Sequence, residues 1–160
     1  MKSQILARYS ILVFSMWIMP FFGKAQSSDP LTRVQLKEML NQLGYTVKDI
    51  VTTPGKEKYS IAHNQGGLDI PVGYEISPSN SYIWLTVNLG SPKDSISAQF
   101  NLELLKQNAK IQPSFFYFTE SGRLMMGLPI ENRGVTNAIL RKQSDKIVSD
   151  VSKTSVFWKK

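Results

Sequence analysis

The chain has 160 residues, no cysteine, one histidine and a formal charge of +7. The missing thiols exclude cysteine nucleophiles, thiolate zinc sites and disulfide redox chemistry. Its Lys and Arg residues are scattered, with no run longer than the terminal Lys159-Lys160. That is a solvated surface and not a phosphate-tracking stripe, so nucleic acid is not expected as a partner.

Lys2 and Arg8 precede an apolar run of 12 residues at 11–22, and Gly23-Lys24-Ala25 puts small residues at the −3 and −1 positions before Gln26. This three-part layout is that of a secretory signal peptide. The run is shorter than the roughly 20 apolar residues that span a bilayer. No cysteine follows it to carry a lipid. The expectation is a signal at 1–25, cleavage after Ala25, and export to the periplasm or beyond, with no membrane contact afterwards. Cleavage removes Lys2, Arg8 and Lys24 and leaves 135 residues at +4. That length supports one domain, at 26–160, with one core.

In chain order, Asp29-Pro30 offers a helix start, and Thr32 with Gln35 offers a second in capping-box spacing. Leu36, Leu40 and Leu43 follow at helical spacing, and Gly44 ends the helix. Residues 45–56 are ambiguous: Tyr45, Val47 and Ile50-Val51 could form a short strand, but Thr53-Pro54-Gly55 breaks it, and the segment reads as a mostly irregular connection. Three strands come next, at 58–64, 68–77 and 82–89. The first turns at Gln65-Gly66-Gly67 and the second at Pro78-Ser79-Asn80. In the second, Leu68, Ile70, Val72, Tyr74 and Ile76 share a face, and Pro71 favours an edge or a bulge. In the third, Ile83, Leu85, Val87 and Leu89 face one way, and Tyr82, Trp84, Thr86 and Asn88 the other.

A second helix, capped by Ser97 or Asp94, is expected to bury Ala98, Leu102, Leu105 and Ala109, with Phe100 and Leu104 widening the stripe. Strands at 114–119 and 123–128 flank a Glu120-Ser121-Gly122 turn. They are apolar on both faces, which predicts cover on both. A last helix starts at the cap Thr136, with Val135 and Leu140 as a hydrophobic staple. Its stripe runs Leu140, Ile147, Val151, Trp158. These elements predict an α+β domain in which helices pack on a twisted, mainly antiparallel five-stranded sheet.

The order of helix, three strands, helix, two strands and helix resembles the class I type III secretion chaperone fold, shared with YbjN-like proteins. The residues that carry the resemblance are Leu104-Leu105-Lys106-Gln107-Asn108, Phe116-x-Phe118, Gly122-x-Leu124, Leu128-Pro129, the helix capped by Thr136, and Gly44-Tyr45. The stretches at 84–89, 110–114 and 132–136 look like those of exported bacterial proteins with this fold, planctomycete ones among them. The chaperones are cytoplasmic, usually acidic homodimers that hold an extended segment of a client. The resemblance therefore implies homodimerisation and a protein client. The signal segment and positive charge set this chain apart from the cytoplasmic members.

His63 has no acidic or histidine partner at a motif spacing and reads as structural. Ser121 lacks a nucleophile-elbow setting. Asp69 and Glu75 share a sheet face, as a solvated surface does. No catalytic residue, cofactor or metal is expected, and the chain reads as a non-enzymatic protein-binding module. The alternative is a ligand-binding or enzymatic domain with a pocket between sheet and helices, using His63 or Asp69 and Glu75. The candidate contact residues are Tyr82, Trp84 and Thr86, opposite the core face of their strand. Either a partner takes that face, or a dimer mate or the tail around Phe157-Trp158 covers it. The 110–136 hairpin is read as packing material.

Overall fold

A computed structural model describes residues 29–91 and 97–159. The expected signal segment at 1–25 and the alternative cap Asp94 lie outside them. The elements are α1 (Arg33–Gln42), β1 (Lys48–Val51), β2 (Lys58–Gln65), β3 (Leu68–Ile76), β4 (Tyr82–Gly90), α2 (Ala98–Ile111), β5 (Phe115–Phe118), β6 (Leu124–Glu131), α3 (Asn137–Lys153) and α4 (Ser155–Trp158). The strands form one antiparallel sheet in the order β1-β2-β3-β4-β6-β5.

The α+β class is as expected, but the sheet has six strands and not five. Strand β1 lies in the stretch read as irregular and pairs Lys48 with Ser60 and Asp49 with Tyr59. Three of its four residues are exposed, so it carries no apolar alternation. It is held by the β2 ladder and by an ion pair from Lys37 of α1 to Asp49.

Alternation along the strands builds the core. Leu85 sits between Tyr74 of β3 and Leu128 of β6, and Val87 between Val72 and Met126. All six side chains are buried. Leu36 and Leu40 of α1, Leu104 and Ile111 of α2, and Leu140, Ile147 and Val151 of α3 join them in one cluster. Prolines fall where a ladder bond is not needed. Pro71 pairs with Ala62 on one side but lies beyond the last β3–β4 pair, Val72 with Val87. Pro129 lies opposite Trp84 and beyond the end of β5, whose Phe115 pairs with Gly127. Each sits where its strand has one neighbour, so the missing N–H costs no bond.

The caps are the sequence's own. Thr32 closes a capping box with Gln35, Ser97 accepts from the Phe100 N–H, and Thr136 accepts from the Ile139 N–H. Gly44 follows α1 at φ +82°, a conformation that glycine adopts without Cβ strain. Helix α3 stops at Thr154, whose hydroxyl bonds back to the Asp150 carbonyl, so Trp158 lies in the separate turn α4 and not on one continuous helix.

The face of α2 is a second correction. Leu104, Gln107 and Ile111 are its buried residues, with Phe100 packed against the core, whereas Leu102 and Leu105 are 47% and 64% exposed. Of the expected stripe, Ala98, Leu102, Leu105 and Ala109 point to solvent, while its expected flank of Phe100 and Leu104 is the part that faces the core. Positions 100, 104, 107 and 111 repeat the same 4-3-4 spacing half a turn away, and periodicity cannot choose between two such stripes. Position 108 decides it. Asn108 accepts from the Phe116 N–H at 2.7 Å and donates to its carbonyl at 3.3 Å, which orients α2 against β5.

Asn132 fastens three segments at one end of the sheet. It is fully buried. Its side chain accepts from the Leu31 N–H at 3.0 Å and donates to the carbonyls of Leu31 and Asn80 at 3.1 and 2.9 Å. Replacing Asn132 by Ala strands those backbone groups and is expected to cost about 3 kcal/mol in urea unfolding, at about 1 kcal/mol per bond. A loss under about 1 kcal/mol would show that water substitutes for the clamp.

Candidate protein-binding face

The sheet face opposite the helices follows from the same alternation. Tyr82, Trp84 and Thr86 of β4 point there, as their strand pattern predicts: Tyr82 is exposed, and Trp84 and Thr86 are half-buried. Register extends the face on both sides. Thr86 lies opposite Gly73 on β3 and Gly127 on β6, and Gly127 lies opposite Phe115 on β5. Asn88 lies opposite Met125, which lies opposite Tyr117.

The sequence reads Phe115 and Tyr117 as packing material; the structure puts them on this outer face. They complete a chain of rings. Centroids are 6.5 Å apart for Tyr82–Trp84, 6.2 Å for Trp84–Phe115 and 5.7 Å for Phe115–Tyr117, with the middle pair edge to face at 80°. These are the separations that aromatic rings prefer. Gly127 makes room for the far end of the row. A Cβ there would lie 3.1 Å from Tyr117 Cε1 and 3.4 Å from Phe115 Cζ, so the two rings lie down over bare backbone. Trp84, Phe115 and Tyr117 are half-buried, and Tyr82 is exposed. None of the four belongs to the core cluster or packs against it.

The surroundings carry charge: Glu131 lies opposite Tyr82. Glu75, opposite Trp84, is ion-paired with Lys58. Burial raises the Tyr117 phenol above its ordinary pKa, and the Glu75 carboxylate adds to the rise. Both edges of the sheet are blunted. Asn108 occupies the outward N–H and C=O of Phe116 on β5, while β1 is short, bulged and charged. Neither suits an added strand. Contact on this face runs through side chains.

The tail does not cover the face. Phe157 and Trp158 pack against the core cluster on the helical side, and Trp158 Nε1 donates to the Val151 carbonyl at 3.2 Å. Asp69 and Glu75 share the outer face but are engaged apart, Asp69 by Asn64 at 2.9 Å and Glu75 by Lys58. The Ser121 hydroxyl meets that of Thr119 at 3.0 Å. Among the described residues, no three His, Cys, Asp or Glu side chains gather as a metal site.

His63 lies on the inner side, away from Asp69 and Glu75. Its ring meets Tyr45 edge-on at 5.3 Å, and the Arg141 guanidinium lies over the other ring, 5.7 Å from the Tyr45 centroid. Its Nε2 is buried without a hydrogen bond. Burial lowers its pKa below the usual histidine value, and Asp145 offsets part of the shift. The neutral ring is therefore favoured by folding. Its contribution is complete above the unfolded pKa, about 6.5, and is lost as pH falls through the lower folded value. The urea midpoint is expected to fall between about pH 7 and 5, with a shallower fall in His63→Gln. Equal slopes in the two proteins would rule out His63 as the source.

No protein-family model matches the chain, and no curated protein matches it. Among solved structures it is similar to a chain of the heterodimeric complex ExoU-SpcU from the type III secretion system of Pseudomonas aeruginosa. The identity is 14% and the TM-score 0.47, over 76% of this chain and 95% of that one.

Proposed function

We propose that this chain is an exported, non-enzymatic protein-binding module. It takes a segment of a protein partner across the outer sheet face through Tyr82, Trp84 and Thr86, extended by Phe115 and Tyr117. One observation carries the reading: the four rings form an unbroken row on a sheet face that no helix covers among the described residues. Folding alone gives a chain no reason to leave such a row uncovered, and contiguous apolar surface of this kind marks interaction sites. Tyr and Trp supply large contact area at low entropic cost and dominate interface energetics. The aromatic row and the blunted edges favour an apolar segment held by side chains. Homodimerisation belongs to the same proposal, as does cleavage after Ala25, the step that makes the module an exported one.

A photo-crosslinking residue in place of Thr86, activated in the producing cells, tests the face directly. The expected result is a discrete adduct with a second protein, identified by mass spectrometry. Trp84→Ala is expected to weaken that complex by roughly 30-fold, the loss of a central aromatic anchor. No adduct, or one indifferent to Trp84, would overturn the reading.

A further inference from the structure

Beside Trp84 lies a cavity of about 360 Å³ that the aromatic row does not use. Trp84, Ile76 and Pro78 form its apolar wall. Register carries it from Trp84 to Glu75 on β3 and Lys58 on β2, the side away from Phe115. The groove beside Leu105, about 270 Å³ and lined by Leu104, Phe116 and Tyr117, has no charged residue in its wall. The cavity at Trp84 does: Arg33, Lys56 and Lys58 stand against Glu57 and Glu75. One positive charge is in excess.

Arg33 is the unusual member. It starts α1 and reaches past the end of β3, with a side chain only 19% exposed. Its Nη1 donates to Asn80 Oδ1 at 3.4 Å and its Nη2 to the Ile76 carbonyl at 3.5 Å. Ordinary bonds of this kind are about 2.7–3.2 Å, and those to charged acceptors about 2.7–2.9 Å. Nε stands 3.5 Å from Glu57 Oε2, and both atoms are buried without a hydrogen bond. The guanidinium is therefore held in position by several loose contacts and saturated by none. A half-buried cation in that state gains more than an exposed one from a strong acceptor.

We propose that this cavity takes the carboxylate of an acidic side chain from the partner segment, with Arg33 as its main donor and Trp84 packing on the chain that carries it. The planar fork of a guanidinium matches a carboxylate in shape and charge. A single negative charge balances the excess of one. A doubly charged phosphate would be left with net repulsion from Glu57 and Glu75. Lys58 is already paired with Glu75, whereas Lys56 is exposed and has no ion pair among the described residues. The inference rests on the proposed partner face and adds to its chemistry: the segment that lies on the rings carries an acidic residue beside its apolar ones.

A matched pair of small probes, 4-phenylbutyrate and its uncharged amide, tests the cavity without the partner. Each is titrated into the purified protein and followed by NMR at the Trp84 indole N–H and the Arg33 Nε–H. The acid is expected to bind with a dissociation constant of about 1 mM, ordinary for a ligand of its size. It is expected to bind about tenfold tighter than the amide, the value of one charge-assisted hydrogen bond. The Trp158 indole, packed on the helical side, is expected not to move. Arg33→Gln is expected to abolish the preference for the acid. Glu57→Gln frees the guanidinium and is expected to tighten the acid about threefold, the size of a partly exposed ion pair's attraction. A purely structural Arg33 would give no such gain. Acid and amide that bind alike, or an acid that shifts neither Trp84 nor Arg33, would overturn the assignment. That comparison uses the wild-type protein and holds even if a variant fails to fold.

The Thr86 photo-adduct separates this inference from the reading beneath it. Arg33→Gln is expected to weaken the cross-linked complex about tenfold. An adduct indifferent to Arg33→Gln would keep the face as a contact surface and overturn the carboxylate's place in it. No adduct, with the acid still bound, would overturn the partner face and leave the carboxylate site standing.

Discussion

Among the described residues the helices lie on one side of the sheet only, and this constraint shapes the rest of the molecule. The inner row from Tyr74 through Leu85 to Leu128 is closed by α1, α2 and α3, and every strand but β1 contributes to the cluster beneath them. A buried hydroxyl chain fixes where the main helix sits. The Tyr74 hydroxyl donates to Ser144 at 2.8 Å, and Ser144 donates to the Leu140 carbonyl at 2.8 Å. Burial raises the Tyr74 pKa strongly, so this hydroxyl stays a donor at any ordinary pH. With α3 held there, Lys146 reaches the Ile111 carbonyl at the end of α2 and also pairs with Asp150. One covered face implies one bare face, and that face carries the aromatic row.

The chain was legible where one physical pressure acted at a time. Strands β3 and β4 alternate because one face is buried and the other is not. The cap at Thr136 and the box at Thr32 are local hydrogen-bonding devices, readable without tertiary structure. The sheet's sixth strand is only faintly marked in the sequence because an exposed, bulged edge needs no apolar residues. The face of α2 was misread because two stripes of equal spacing compete, and the bond from Asn108 to the backbone of Phe116 decides between them. That bond leaves no periodic trace.

The candidate site was half legible for a related reason. Tyr82, Trp84 and Thr86 follow from alternation in a single strand. Phe115 and Tyr117 belong to a strand apolar on both sides, where a buried face and an exposed contact face look alike in sequence. The clue was Gly127, a glycine inside an apolar strand, which is where another group approaches the backbone closely. Here the approaching groups are those two rings.

Tyr117 belongs both to the aromatic row and to the groove beside Leu105, so the outer face and that groove meet at the β5 edge.

Hydroxyl-radical footprinting of Tyr82, Trp84, Phe115 and Tyr117 reports directly on whether the outer face is a working surface. The account predicts that these rings oxidise readily in the purified protein and are protected in the producing cell, while the core ring Tyr74 resists in both. Equal oxidation of the four in the two settings would contradict it.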